Sequence, residues 1–207
     1  MKGWERCKPW QAGVTLLELL IAIAVLGIII SVAMPSFSEF GQTQRLIGAA
    51  EQVYGHIQQA RSEAVTRSTN TYANFAVDGS ASWEYGVSVS SLCDLTLTDP
   101  ATANACVIVV DDGDGVVDPG DGSVDTGDLV LMRFTSTDYD GVTMNIANFS
   151  SGSTQFVFDP VRGTSTSGEV NLASAGGKQL RVKVSLLGRV TLCSPDGSIP
   201  NYSSAGC

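Results

Sequence analysis

Acidic and basic side chains that could do chemistry occur at three places along the 207-residue chain. A single carboxylate, Glu18, interrupts an apolar run, aspartates alternate with glycines over 111–121, and cations alternate with apolar residues over 180–189. These patterns offer charge pairing in lipid, coordination of a hard cation and binding of anions, respectively. The one histidine is His56, and the sequence has no nucleophile elbow, phosphate loop or zinc motif, so we predict that the chain is not an enzyme.

The aspartate-rich segment partly matches a calcium-binding loop. With Gly115 as the turn glycine of an EF-hand-like loop, ligand-like positions three, five, nine and twelve are Asp112, Asp114, Asp118 and Asp121. Position one is then Val110, and position twelve is Asp instead of the longer Glu. Calcium is therefore a partial prediction, the alternative is a solvated acidic loop, and we predict that no cofactor is required.

Three cations lie near one another in sequence close to the end of the chain. Alternation over 180–186 turns apolar residues inward and turns Arg181 and Lys183 outward, and a tight turn then brings Arg189 to the start of the next strand. This cluster predicts at most weak binding of DNA phosphates, and its alternative is the solvated outer face of a sheet. The net charge of −9, with 13 acids and one base over 78–140, argues against general nucleic-acid binding.

Glu18 lies in an apolar segment, 14–34, that is long enough to cross a bilayer, since its residues give about 31 Å of helix. Positive charge before the segment predicts that the chain after it lies outside the cytoplasm. A plain membrane anchor leaves Glu18 unexplained, because a lone carboxylate in lipid costs several kcal/mol. Cleavage between Gly13 and Val14 would create an amino group that can pair with the carboxylate of a neighbouring subunit.

The residues around this cut are Gly13 before it, Thr15-Leu16-Leu17-Glu18 after it, and Pro35 at position 22 of the cleaved chain. They resemble the leader of type IV pilins and type II secretion pseudopilins, although Val14 stands where that family usually has Phe. The resemblance implies cleavage by prepilin peptidase, N-methylation of Val14, and assembly roles for Glu18 and Pro35. It also implies a single-pass inner-membrane protein with a periplasmic head, whose partners are other pilins, an inner-membrane assembly platform and membrane lipid.

Beyond Pro35 the apolar residues repeat at helical spacing, so one helix is predicted to continue to about Arg67. Its apolar seam consists of Leu46, Ala50, Val53, Ile57, Ala60 and Ala64. Pro35 removes a backbone hydrogen bond and is expected to kink the helix without ending it.

The remaining residues, 68–207, are predicted to form a β-rich head, because short Val, Thr and aromatic runs alternate with turn residues. Strands are predicted at Tyr72–Val77, Trp83–Val89, Cys106–Val110, Leu129–Thr135, Val142–Ile146, Thr154–Phe158, Glu169–Leu172, Leu180–Leu186 and Arg189–Cys193. We therefore predict an α+β, type IV pilin-like fold in which the long helix packs against an antiparallel sheet. The predicted divisions are a leader, 1–13, a membrane or filament-core half-helix, 14–34, an amphipathic half-helix, 35–67, and the head, 68–207.

Four of the five cysteines lie outside the leader, in what should be an oxidising compartment. Four cysteines allow three connectivities, and nearness in sequence favours Cys93 with Cys106 and Cys193 with Cys207. Each pair closes a loop of about 14 residues, worth roughly 3 kcal/mol in the chain-entropy model. A metal site is the alternative, but no CxxC pair or histidine partner supports it.

Two patches narrow the resemblance: Gln59-Ala60-Arg61-Ser62-Glu63-Ala64-Val65 and Leu187-Gly188-Arg189-Val190-Thr191-Leu192-Cys193. They are similar to the GspH/FimT branch of minor pilins and pseudopilins. The resemblance implies a filament subunit of a type IV pilus or of a type II secretion pseudopilus, with a pilus-borne DNA-binding subunit as the alternative. Members of the branch that bind DNA have a Gly-Arg-x-Arg motif at the corresponding turn. This chain has Thr191 in place of the second arginine, so at most weak DNA binding is expected.

Overall fold

The structure is a computed structural model that describes residues 13–77, 79–89, 91–110, 128–150 and 153–207. The chain divides into two compact units, Met1–Phe40 and Gly41–Cys207, and the boundary falls inside the long helix α1, Leu16–Arg67. As predicted, α1 passes through Pro35 without ending, and it stops at Arg67.

Within the described residues, no helix combines the length and the apolar character that a membrane crossing requires. The predicted span, 14–34, includes Val32 and Ala33, whose side chains lie outside the described part of the chain.

The end of α1 is set by Ser68, which adopts a left-handed backbone conformation with φ of 53°. The amide of Thr69 then donates to the carbonyl oxygen of Ala64 at 3.3 Å, which satisfies one of the free carbonyls of the last turn. This is the Schellman arrangement, in which glycine usually occupies the left-handed position. The Ser68-Thr69-Asn70 break in the sequence pattern therefore corresponds to a defined helix cap.

From here on we call the second unit, Gly41–Cys207, the head. Besides its α1 residues and a short 3₁₀ helix, Ser136–Asp138, its described part consists of antiparallel strands. Their bounds are β1, Thr71–Val77; β2, Trp83–Val89; β3, Val107–Val109; β4, Leu129–Leu131; β5, Arg133–Thr135; β6, Val142–Ala147; β7, Gln155–Phe158; β8, Gly168–Ser174; β9, Gln179–Val184; and β10, Val190–Cys193. They form a sheet of order β5-β2-β1-β7, a second sheet of order β10-β9-β8-β6, and a β3-β4 hairpin, with every pair antiparallel. The predicted α+β fold class is confirmed.

One predicted strand, Leu129–Thr135, was wrong, because the structure divides it at Met132. The Met132 amide donates to the carbonyl oxygen of Cys106 at 2.6 Å, and its own carbonyl accepts from Val87 at 3.0 Å. The residues before Met132 pair with β3, whereas the residues after it pair with β2. A single run of apolar residues therefore pairs with two different strands, and the alternation of residue types along the run cannot predict this division.

The core of the head lies between α1 and the sheets. Each residue of the predicted seam is fully buried: Leu46, Ala50, Val53, Ile57, Ala60 and Ala64. The large aromatic side chains of Trp83, Tyr85, Phe156 and Phe158 belong to the same buried cluster. Alanines form half of the seam, so small side chains of the helix lie in one buried cluster with large aromatic side chains of the strands.

Candidate assembly and binding sites

The described part of the first unit exposes its large apolar side chains. Among the described large apolar residues from Val14 to Phe40, the exposed fraction ranges from 46% at Ile30 to 78% at Leu16. On the same helix, Leu46 in the head is fully buried. An α-helix with apolar residues around its whole circumference needs an apolar environment, such as lipid or other helices.

Glu18 stands in the first turn of α1, three residues after Thr15. The Glu18 amide donates to the Thr15 side-chain oxygen Oγ1 at 3.2 Å, so Thr15 caps the helix N-terminus. A carboxylate at this position also interacts favourably with the helix dipole. Thr15 is a functional residue that our sequence analysis missed, although the pattern Thr-x-x-Glu is the signature of a capping box.

The predicted processing residues, Gly13 and Val14, precede the helix and are exposed. Pro35 lies within the backbone of α1, but its side chain lies outside the described residues. Cleavage after Gly13 and the assembly role of Pro35 remain predictions.

The predicted DNA-binding cations Arg181 and Lys183 are brought together on β9, where both pair with Glu169 of β8. The Arg181 Nη1 to Glu169 Oε2 distance is 3.2 Å, and the Lys183 Nζ to Glu169 Oε1 distance is 3.7 Å. Both cations also donate to the main-chain oxygen of Cys207 at 3.3 Å. Both side chains point away from the buried face of β9, as the alternation predicted, but they are only partly exposed because Glu169 and Cys207 lie against them.

Strand register explains this cluster. In the β8–β9 pair Glu169 lies opposite Lys183, and in the β9–β10 pair Cys193 lies opposite Arg181. The Cys193–Cys207 disulfide then places Cys207 beside the two cations. Arg189 is exposed at the turn before β10 and lines, with Lys183, a groove of about 380 Å³. Glu169 was not recognised as their partner because its register with β9 is a non-local property.

The structure contains the disulfides Cys93–Cys106 and Cys193–Cys207, the pairing that nearness in sequence favoured. The first closes the loop between β2 and β3, and the second attaches the C-terminal segment to β10.

The predicted calcium ligands Asp112, Asp114, Asp118 and Asp121 lie outside the described residues. Among the residues that the structure does describe, no group of three His, Cys, Asp or Glu side chains is arranged to hold a metal ion. Calcium binding by 111–121 remains a prediction.

His56 lies on α1 against the aromatic core. Its Nδ1 forms a 2.9 Å hydrogen bond with the Tyr85 hydroxyl, and its ring stacks on Phe134 with centroids 3.9 Å apart. Burial lowers the pKa of His56 from its usual 6.5, and burial together with Tyr139 raises the pKa of Tyr85. Both groups are therefore neutral at pH 7, and the pair is a packing contact of the core.

The two patches that narrowed the family resemblance meet in space at Gly188. A Cβ built on Gly188 would lie 2.0 Å from the carbonyl oxygen of Gly163 and 3.3 Å from the Nε atom of Arg61 on α1. Gly188 also has φ of +71°, a conformation that favours glycine. The helix patch and the hairpin patch thus form one packing junction, in which the turn around Gly163 is the third component.

Comparison with known proteins gives a family. A family model described as Type II transport protein GspH matches residues 49–188, and one described as Prokaryotic N-terminal methylation motif matches residues 11–34. A comparison with curated proteins gives no match.

Two solved proteins are similar to the chain. The minor pseudopilin EpsH from the type 2 secretion system of Vibrio cholerae is 12% identical, with 71% of this chain and 94% of that chain covered and a TM-score of 0.40. The type IV minor pilin FimU of Pseudomonas aeruginosa, in one crystal form, is 18% identical, with 79% and 98% covered and a TM-score of 0.45. In a second crystal form the values are 19%, 75%, 97% and 0.41.

The GspH match extends over well more than half of the chain. It includes the whole of the α1 patch, 59–65, but only Leu187 and Gly188 of the second patch. It begins on α1 and ends at the turn before β10, while the methylation motif contains Glu18. The chain belongs to the GspH family of minor pseudopilins and pilins and carries a prokaryotic N-terminal methylation motif.

Proposed function

We propose that the chain is a minor filament subunit that is built into a type II secretion pseudopilus or a type IV pilus through its N-terminal helix. One observation carries the proposal: the described large apolar side chains from Val14 to Phe40 are exposed, whereas α1 buries its apolar seam within the head. Such a surface is stable in lipid before assembly and against neighbouring subunit helices after it. This family is a structural class, and no catalytic role is proposed.

Two successive stages are proposed, membrane insertion with processing and then filament assembly. The chain inserts in the inner membrane through 14–34 with 68–207 in the periplasm, and prepilin peptidase removes 1–13. An inner-membrane assembly platform then transfers the subunit into a filament of other pilins, in which 35–67 connects the filament core to 68–207. The methylation motif over 11–34 and the positive charge before Val14 support this order of events.

Glu18 is proposed to fix the position of the subunit in the filament. Within 13–38 it is the only charged residue, and it is exposed. An unpaired carboxylate in an apolar environment costs several kcal/mol, and the amino group of Val14 on a neighbouring subunit would compensate its charge. The Thr15 cap holds the first turn of α1, so that this carboxylate has a defined place relative to the amino terminus.

A matched set of α1 variants tests this role. We expect Glu18→Ala to be cleaved and kept in the membrane but to be at least about tenfold depleted from sheared filaments, since about 1.4 kcal/mol of lost pairing gives that factor. Glu39→Ala removes a carboxylate from the same helix and should assemble normally. Glu18→Gln preserves the capping pattern without the charge and should fail like Glu18→Ala. Normal assembly of Glu18→Ala would refute the role, and rescue by glutamine would assign Glu18 to helix capping.

The host machine requires a separate experiment. Family membership supports a secretion pseudopilus, although the leader and helix α1 serve both machines equally. A clean deletion should be scored in parallel for exoproteins, surface pili and DNA uptake. Exoproteins retained in the periplasm with intact pili would identify a secretion pseudopilin, and loss of pili or transformation with normal secretion would identify a pilus subunit.

The alternative of a pilus-borne DNA-binding subunit takes second place. Two of its three cations, Arg181 and Lys183, already pair with Glu169, so fewer positive charges remain for phosphates. A salt-dependent gel shift that is abolished by Arg189→Ala would reverse this order.

A further inference from the structure

The most exposed large apolar side chains of the described head lie on two turns. The exposed fractions are 89% at Val161, 77% at Leu187 and 61% at Leu186, and the next value in the described head is 54% at Val65. We call the two segments, 159–164 and 185–189, the paired turns. A cluster of exposed apolar residues is typical of an interaction surface, because isolated exposed leucines are common but neighbouring ones are costly for a soluble surface.

Hydrogen bonds hold the paired turns together. The amide of Ser165, just after the first turn, donates to the Leu186 carbonyl at 3.1 Å, and Gly188 packs directly on Gly163. The turns are therefore neighbours in the fold, although more than 20 residues separate them in sequence. Val161 and Leu186 consequently belong to the same region of the head surface.

Each turn is also fixed internally. The Asp159 carboxylate accepts from the amides of Val161 at 2.8 Å and Arg162 at 2.9 Å. In the second turn the Gly188 amide donates to the Ser185 carbonyl at 2.8 Å. A surface that is already ordered loses little conformational entropy when a partner binds, so less of the free energy gained by burying its apolar area is offset.

The charges around this surface indicate the chemistry of the partner. Arg162 and Arg189 are exposed on the two turns, whereas the Asp159 carboxylate is used within the first turn. The complementary surface is an apolar pocket with a rim of carboxylates. A DNA backbone offers phosphates but no apolar pocket, so a protein fits this combination better.

A lipid surface is a poorer match. The paired turns pack beside Arg61, which lies about 20 residues beyond Gly41 on α1. At about 1.5 Å per residue, the paired turns lie about 30 Å along the helix from Gly41, where the head begins. The apolar turns are therefore at the far end of the helical part of the head.

We propose that the paired turns are the docking surface for a different pilin-like subunit, one that presents an apolar pocket rimmed by Asp and Glu. The proposal rests on the proposed function, because it requires that the chain has filament neighbours. Val161 and the two leucines fill the pocket, and Arg162 and Arg189 pair with its rim.

Photo-crosslinking in the native cell tests the proposal with the full chain. The photoreactive residue benzoylphenylalanine is introduced as Leu187→benzoylphenylalanine and, as a matched control, at Val130, which is 41% exposed on β4. We expect mass spectrometry to map the Leu187 adduct to a second protein with a prepilin leader, at a site rich in Asp and Glu, with at least about fivefold higher yield than from Val130. Arg162→Glu combined with Arg189→Glu should reduce that yield by at least about fivefold.

Other outcomes would overturn the proposal. They are an adduct of the chain with itself, an adduct with nucleic acid or phospholipid, or a yield no higher than that of the control. Cleavage and filament content of the probe-bearing chain, measured in the same cells, separate the two ideas. A Leu187-probe chain that is cleaved and present in filaments but gives no specific adduct refutes only the docking surface, whereas absence of the Val130 control chain from filaments refutes the proposed function and, with it, this proposal.

Discussion

Replacing Gly188 by alanine would place a methyl group where the backbone of another turn already lies. The added Cβ would be 2.0 Å from the Gly163 carbonyl oxygen, well inside van der Waals contact, and the clashing atom belongs to the main chain and cannot rotate away. The φ of +71° adds the cost of a left-handed conformation for a residue with a Cβ. Both effects act at the junction where the α1 patch meets the β9–β10 turn.

The two costs can be separated with a second glycine. Gly177, in the β8–β9 turn, has φ of +83°, but a Cβ built there meets no atom within 4 Å. Gly177→Ala therefore measures the backbone cost alone, about 1–2 kcal/mol. Gly188→Ala adds an overpacking cost of about 1–3 kcal/mol. We expect its total destabilisation to be about 3–4 kcal/mol, roughly 2 kcal/mol more than that of the control.

Urea unfolding of the full chain in mild detergent, followed by tryptophan fluorescence, measures both values, since Trp83 is buried in the core of the head. The difference between the two variants is the informative quantity. Equal destabilisation by both substitutions would mean that Gly188 is required only for its backbone conformation, and it would refute the tight packing of the turns on which the junction depends.

Two further predictions concern buried ionisable side chains. Burial lowers the pKa of His56, so the stability that the neutral ring contributes is complete above pH 6.5 and is lost as the pH falls. The urea midpoint should therefore drop between about pH 7.5 and 5, and His56→Gln should flatten this drop. An unchanged pH slope in the variant would contradict the burial of His56 as the cause. Glu169→Gln leaves Arg181 and Lys183 without their carboxylate and should lower the free energy of unfolding in urea by about 2 kcal/mol. The control Glu51→Gln, at an exposed position, should lower it by less than about 1 kcal/mol, and equal losses would show that the pairing with Glu169 contributes little.

Local patterns in the sequence predicted much of the fold. The helical repeat from Leu46 to Ala64 identified buried residues correctly, because a 3.6-residue period requires no knowledge of the partner. The alternation in β9 likewise predicted the buried Leu180, Val182 and Val184. The prediction that Leu186 also points inward was wrong, because the strand ends at Val184 and Leu186 lies 61% exposed in the turn that follows. Strand β2, Trp83–Val89, was predicted with its observed bounds, since turn residues flank it on both sides.

Features that depend on pairing between distant segments could not be predicted in this way. The division at Met132 arises because its neighbours pair with two different strands, and the Glu169 cluster depends on the β8–β9 register. The junction at Gly188 requires three segments to meet, and the sequence marked two of them only as separate family patches. Thr15 is a different case, because its capping pattern was visible in the sequence and was not interpreted.

The N-terminal residue of the chain recovered from filaments decides whether this GspH-family chain is a processed filament subunit. Sheared filaments from native cells should be isolated, and the N-terminal peptide of the chain should be identified by mass spectrometry. We expect a chain that begins at Val14 with a methylated amino group. A chain that still carries residues 1–13, or one that stays in the membrane fraction while filaments assemble without it, would show that the chain is not a processed filament subunit.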